Sequence, residues 1–222
     1  LTTKPAFWLM TAGATIAAFC GYGISSFQSL FLVRAHDITT GQAAIWINTP
    51  VSLSSAVGTF AVGWLATKLY QKYPGAIAWV PAMGLALSVP FYVIAFSSES
   101  LFVAAICLMI AGFVKYGYLA AQYTIGQGVV TMRVRAMATA VLLFVVNLIG
   151  YGFGPLFIGF ISDIFFTSGV ADLGLSAGEL ARNQCHPGVI GELSNNLQNV
   201  CGQVYSQSLQ TAMVIMALLY GA

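Results

Sequence analysis

Eight Lys or Arg and six Asp or Glu are the only formally charged side chains in this 222-residue chain, and they sort by side. Long apolar runs separate them. If successive runs are followed alternately from one side to the other, all six acids, Asp37, Glu99, Asp163, Asp172, Glu179 and Glu192, fall on one face. Lys4, Lys68, Lys72, Arg133 and Arg135 fall on the opposite face, while Arg34 and Arg182 lie with the acids. A membrane between the faces accounts for this, because short loops rich in Lys and Arg are retained on the cytoplasmic side. The basic face is therefore expected inside. Lys115 alone belongs to neither face.

Charged residues make up 6% of the chain and apolar residues 59%, against about 25% charged in soluble domains. Most of the surface must then meet lipid, and an all-α membrane protein is expected. A net charge of +2, divided between two faces, gives no footprint for nucleic acid. The chain begins at Leu1, and its last apolar run stops at Ala222 after 15 residues, short of the ~20 that a spanning helix needs. A fragment of a longer protein is expected. The first run is too long for a signal peptide and lacks a small-residue cleavage site.

Six crossings are expected. Residues 6–32 form the first, ended by Arg34, His36 and Asp37. Residues 40–66 return, carrying Asn48, Thr49 and Pro50 near one end. Residues 76–96 form the third, with Pro81 and Pro90 as kinks that neighbouring helices must tolerate. Residues 101–130 are too long for one perpendicular helix at 1.5 Å per residue, so a span that is tilted or extends beyond the bilayer is expected. Residues 137–162 form the fifth crossing, and the sixth begins near Gln207 or Ser208. Between them lies one long polar segment, 164–207. There, Ser176 with Glu179 matches a capping box and His186-Pro187-Gly188 reads as a turn, so one or two short helices over one mouth of the bundle are expected.

A charge at the depth of Lys115 costs about 2.5–3.5 kcal/mol on insertion scales, so something must offset it. Lys115, Tyr118 and Gln122 share a helical stripe, which predicts a cavity filled by water or ligand against that face. Snorkelling and a structural pair with a carboxylate from a segment outside this sequence are the alternatives. The first span carries Thr15, Phe19, Tyr22, Ser26 and Ser29 on one stripe, with Gln28 close by. That face suits an amphipathic ligand or ordinary helix packing. Gly150 and Gly154 form a GxxxG pair with Asn147 on the same side, which predicts close packing against another helix.

Cys20 and Cys107 lie in apolar runs, whereas Cys185 and Cys201 share the long loop. The latter two could form a disulfide in an oxidising compartment, and two unpaired thiols are the alternative. Cys185 and His186 lack a second ligand pair, so no metal site is expected. Nor does the sequence hold a Ser-His-Asp set or a phosphate loop: Gly150, Gly152 and Gly154 follow no strand and precede Pro155. No enzyme and no cofactor are expected.

The loop Gly63-Trp64-Leu65-Ala66-Thr67-Lys68-Leu69 resembles the inner-loop signature Gly-x-Leu-x-Asp-Arg of the major facilitator superfamily, with Thr67 in place of the acid and Lys68 in place of the Arg. The substitution at Thr67 removes the acid of the charge relay attributed to that loop. Residues 133–140, Asn147-Leu148-Ile149-Gly150, and Gly154-Pro155 with Gly159, Ser162 and Asp163 are similar to spinster-like members. Phe31-Leu32-Val33-Arg34-Ala35-His36 resembles the end of their seventh helix.

The resemblance implies the C-terminal six-helix half of a twelve-helix transporter, made of two three-helix repeats, 1–96 and 97–222, facing an N-terminal half that lies outside this sequence. It places Lys115 and Tyr22 toward a central substrate path, and Tyr118, Gln122 and Ser26, on the same helical stripes, complete the expected substrate-binding set. It further implies alternating access, proton coupling through acids of the other half, and an amphipathic anionic lipid such as a lysophospholipid or sphingoid phosphate as cargo. The implied location is the bacterial inner membrane, with basic loops cytoplasmic. A carrier of small organic anions or drugs is the alternative within transport. A nontransporting scaffold or receptor is the alternative of another class.

Overall fold

Apolar chain in hydrocarbon can satisfy its peptide groups only by helices or closed barrels, and this chain takes the first course. The computed structural model describes residues 5–36, 38–172 and 195–221, except for the side chains of 171, 172 and 195–203. In order, the elements are α1 (Pro5–Ala35), α2 (Thr40–Ala43), a π turn (Ala44–Asn48), α3 (Thr49–Tyr70), α4 (Ala76–Ser97), α5 (Leu101–Lys115), α6 (Tyr118–Gly128), a 3₁₀ turn (Met132–Val134), α7 (Arg135–Asp172), α8 (Asn195–Leu218) and a final 3₁₀ turn (Leu219–Gly221). Among the described residues five helical stretches are long and apolar enough to cross a membrane: Pro5–Ala35, Thr40–Tyr70, Ala76–Ser97, Leu101–Gly128 and Met132–Val170. Large apolar side chains cover the outside, among them Leu9, Phe60, Phe102 and Leu156, each at least two-thirds exposed. Such a surface suits lipid and would aggregate in water.

Packing inside the bundle rests on small residues, since lipid tails are as apolar as leucine and only close contact favours helix association. On α7 the buried stripe is Leu142, Val146, Gly150, Gly154 and Ile158, one residue in four. A Cβ added at Gly150 would stand 2.9 Å from Ala18 Cβ, and one at Gly154 would stand 2.5 Å from the Phe19 carbonyl oxygen. Those glycines bring α7 onto α1. In the same way Gly58 of α3 lies against the backbone of Phe113, leaving no room for a Cβ, while Ser54 Oγ donates to the Met109 carbonyl at 2.9 Å. The main core gathers α1, α4, α5 and α8 around Ile24, Phe31, Tyr92, Phe96, Leu108 and Met213.

Several expectations need correction. The fourth crossing is no single tilted helix: it breaks at Tyr116 and Gly117, between α5 and α6. Gly117 is pressed against Val62 there, a contact that leaves no space for a side chain. The polar segment 164–207 is also shorter than composition indicated. α7 continues to Asp172 and α8 begins at Asn195, because the added turns pack on each other: the Phe166 and Tyr205 rings meet edge to face at 5.9 Å. Asn147 stands outside the α1 contact. It lies one residue round from buried Val146, is exposed, and donates to the Leu143 carbonyl at 2.8 Å. The capping box at Ser176, the turn at His186, and the disulfide candidates Cys185 and Cys201 lie outside the described residues or side chains.

The second crossing contains a feature that composition does not encode. A π turn at Ala44–Asn48 is stitched by Thr49 Oγ1 donating to the Ala44 carbonyl at 2.9 Å. Asn48 at its end accepts from Gln28 Nε2 at 3.1 Å and donates to Ser29 Oγ at 2.7 Å, which ties the turn to α1.

Gly58→Ala should destabilise the protein by about 1–3 kcal/mol, the usual cost of overpacking. Gly152→Ala, which meets nothing within 4 Å, should leave stability unchanged. Thermal unfolding of the detergent-solubilised protein compares the two, and equal midpoints would refute the α3 to α5 contact.

Candidate functional site

Lys115 closes α5, and its side chain is 4% exposed. The last carbonyls of a helix carry partial negative charge and have no intrahelical partners, so a cation at this end is favoured. Around the ammonium stand three rings. Nζ is 4.7 Å from the centroid of Tyr116, 5.3 Å from Tyr92 and 5.9 Å from Tyr220. The Tyr92 and Tyr220 rings lie nearly parallel, 6.1 Å apart. Cation–π contacts are worth about 0.5–2 kcal/mol each, so three together offset the ~2.5–3.5 kcal/mol cost of the buried charge. No carboxylate pairs with Lys115 among the described residues. The cage therefore holds the charge without neutralising it.

The break after Lys115 turns the chain so that Tyr118 and Gln122, on α6, are buried as well. A cavity of about 50 Å³ lies at this point, lined by Ala18, Gly21, Tyr22, Lys115, Tyr118 and Tyr220 among others. Tyr22 stacks on Tyr151 of α7 at 3.4 Å between centroids. Gly21 keeps the cavity open: an added Cβ would be 2.7 Å from Tyr220 Oη and 4.0 Å from Lys115 Nζ. Tyr220 Oη and Gln122 Oε1 are buried with no hydrogen-bond partner among the described residues. A second, apolar cavity of about 140 Å³ opens between α1, α4 and α6, lined by Ala14, Ala17, Pro81 and Leu85 among others. Tyr118 belongs to both cavities.

The structure thus brings Lys115, Tyr118 and Tyr22 together. Gln122 is buried nearby on α6 but does not line the Lys115 cavity, and Ser26 is exposed, its hydroxyl donating to the Tyr22 carbonyl at 2.8 Å. On the same face of α1, Thr15 donates to the Thr11 carbonyl, and Phe19 packs on Phe157. Gly63 packs near Ala120, and exposed Lys68 lies over the ring of Trp64 at 4.8 Å, away from the cage. Sequence reasoning missed Tyr92 and Tyr220. A tyrosine within each apolar run was the available signal, but nothing in the spacing joins residues 92, 115 and 220.

A helical bundle with five spans of membrane-crossing length among the described residues defines a class, that of polytopic membrane proteins, and comparison with known proteins supplies the family. No family model matches the chain. Two solved structures of a bacterial homologue of the human lysosomal transporter Spinster, both inward-facing, resemble it closely. The occupied form gives a TM-score of 0.87 at 36% identity and the unoccupied form 0.86 at 34%. Each match covers 99% of this chain, but only 47% and 46% of the respective solved chains. An MFS-type efflux pump of Mycolicibacterium smegmatis (strain ATCC 700084 / mc(2)155) is 28% identical over 163 residues, which is 73% of this chain and 38% of the pump. The chain spans about half the length of these relatives or less. It belongs to the major facilitator superfamily, in the spinster-like lineage, and forms a half of that fold.

Lys115→Met keeps the length of the side chain and removes the buried charge, so stability should be retained or raised. Lys115→Glu would set a carboxyl group against the negative faces of three rings, with no cation–π stabilisation, and should lower the unfolding midpoint. Size-exclusion profiles and unfolding midpoints of the two variants test the cage. A Lys115→Glu protein with the wild-type midpoint would refute it.

Proposed function

We propose that this chain is the C-terminal half of a secondary transporter that works by alternating access, moving an amphipathic anion across the membrane against a facing six-helix half. The observation that carries the reading is the cavity at Lys115, which shares Tyr118 as a wall with a neighbouring apolar cavity. A cation held by rings rather than by a carboxylate remains able to attract an anionic oxygen, and the neighbouring cavity accepts the start of an apolar chain. At about 50 Å³ the polar cavity admits an anionic group rather than a whole lipid headgroup. The remainder of the cargo would lie against the facing half.

Lysophospholipids and sphingoid phosphates have this combination of charge and chain. In this reading Lys115 binds the anion, while Tyr118 and Tyr22 line its path, with Gln122 and Ser26 completing the route as the halves move. The two repeats, 1–96 and 97–222, move together. Proton coupling is part of the proposal on the strength of the family resemblance: no Asp or Glu lies near the centre of a described span, so the coupling acids belong to the other half. Lys68, Lys72, Arg133 and Arg135 then face the cytoplasm of a bacterium whose inner membrane holds the protein. The efflux pump relative favours a second reading, a carrier of small organic anions or drugs.

Uptake of a fluorescent lysophospholipid into proteoliposomes containing the intact protein should fall about 10–100-fold in Lys115→Met, the loss expected for one hydrogen bond to a charged group. Lys115→Arg should retain part of the activity. Unchanged uptake in Lys115→Met would overturn the anion site. Transport of a small anionic dye with none of the lysophospholipid would select the second reading.

A further inference from the structure

Between α3 and α4, on the far side of α5 from the Lys115 cage, lies a crevice that the transport reading does not use. The two helices touch where they are joined, through Ala66, Ala76 and Val80. Farther along, each leans on α5 instead. Gly58 meets the Phe113 backbone, and a Cβ added at Gly84 would stand 2.6 Å from the Val114 carbonyl oxygen. Helices pinned at their joined ends and spread by a third leave a crevice of about 620 Å³, walled by Leu65, Leu69, Met83, Leu87 and Phe113 among others.

The joined end carries charge. Lys68 and Lys72 are exposed there, one turn apart, with Lys68 Nζ 4.8 Å from the centroid of Trp64 and Lys72 Nζ 5.6 Å from that of Tyr73. Trp79 lines the crevice itself. Trp, Tyr and Lys gathered at one level are the composition of a helix end in the headgroup layer. Residues 38–98, which include α3, α4 and their connection, contain no Asp or Glu, so nothing on either wall neutralises the two lysines.

We propose that this crevice binds an anionic phospholipid of the leaflet that Lys68 and Lys72 face, one acyl chain lying between α3 and α4 and the phosphate held by the two lysines. The crevice alone does not discriminate, because bulk lipid is as apolar as its walls. The headgroup decides the occupant. Two lysines at an anionic surface give roughly thirtyfold preference over a neutral lipid. The bound lipid would brace α3 against α4 from outside the bundle.

Native mass spectrometry of the intact protein, equilibrated with equal amounts of dioleoyl phosphatidylglycerol and dioleoyl phosphatidylcholine, tests the site. Wild type should retain phosphatidylglycerol at least ~10-fold over phosphatidylcholine. Lys68→Gln with Lys72→Gln, both on the surface, should bring the ratio near one. Ala86→Trp, which fills the crevice from an exposed wall position, should lower the retained lipid while leaving the lysines in place. Equal retention of both lipids by wild type would overturn the proposal, as would a preference that survives the lysine pair or occupancy that survives Ala86→Trp. Release of the lipid by millimolar inorganic phosphate would assign the lysines to a free anion and overturn it as well. Elution of each variant at the wild-type volume separates these outcomes from misfolding.

Discussion

A peptide group left unpaired in hydrocarbon costs several kcal/mol, and the whole architecture follows from avoiding that cost. The chain stays helical wherever it meets lipid, and its departures from α geometry inside the bundle have partners. The π turn at Ala44–Asn48 is tied by Thr49 to its own backbone and by Asn48 to Gln28 and Ser29 of α1. The interruption at Tyr116 and Gly117 lies against Val62 of α3. Irregular backbone at membrane depth is tolerated only where protein or a cavity receives it. Each departure therefore has protein packed against it, polar side chains of α1 in the first case and Val62 of α3 in the second.

The same constraint shapes the site. Ending α5 at Lys115 leaves helix carbonyls at the place where the cation sits, and restarting as α6 carries Tyr118 and Gln122 to the interior. Tyrosine rings then do what a carboxylate does elsewhere, at lower electrostatic commitment: they stabilise the ammonium by their quadrupoles and leave its charge available. A paired Lys would be held more firmly and would attract an anion less. The parallel rings of Tyr92 and Tyr220 also join α4 to the end of α8, so the cage is part of the core as well as part of the candidate site.

Much of the organisation was legible in the chain. Apolar length located four crossings within a few residues and the start of a fifth, whose helix continues to Asp172, because hydropathy measures what the bilayer selects for. Lys115 stood out, since a single charge within an apolar run has few innocent explanations. Gly150 and Gly154 face α1, where their spacing pointed to a helix neighbour. Asn147 was misjudged because the contact follows a stripe of one residue in four, which passes through Val146. The long loop was overestimated because polar residues on α8 lower its mean hydropathy, while its apolar face, with Val204, Leu209 and Met213, still packs.

Composition and charge order thus determined a membrane bundle, its spans and the one charge out of place, since these depend on how each residue partitions between water and lipid. Only the tertiary structure decided that three tyrosine rings surround Lys115, that its helix ends there, and that Tyr118 lines both cavities. Those facts depend on side chains from residues 22 to 220 converging around a cavity of about 50 Å³, and no local pattern of hydropathy records which distant rings will meet.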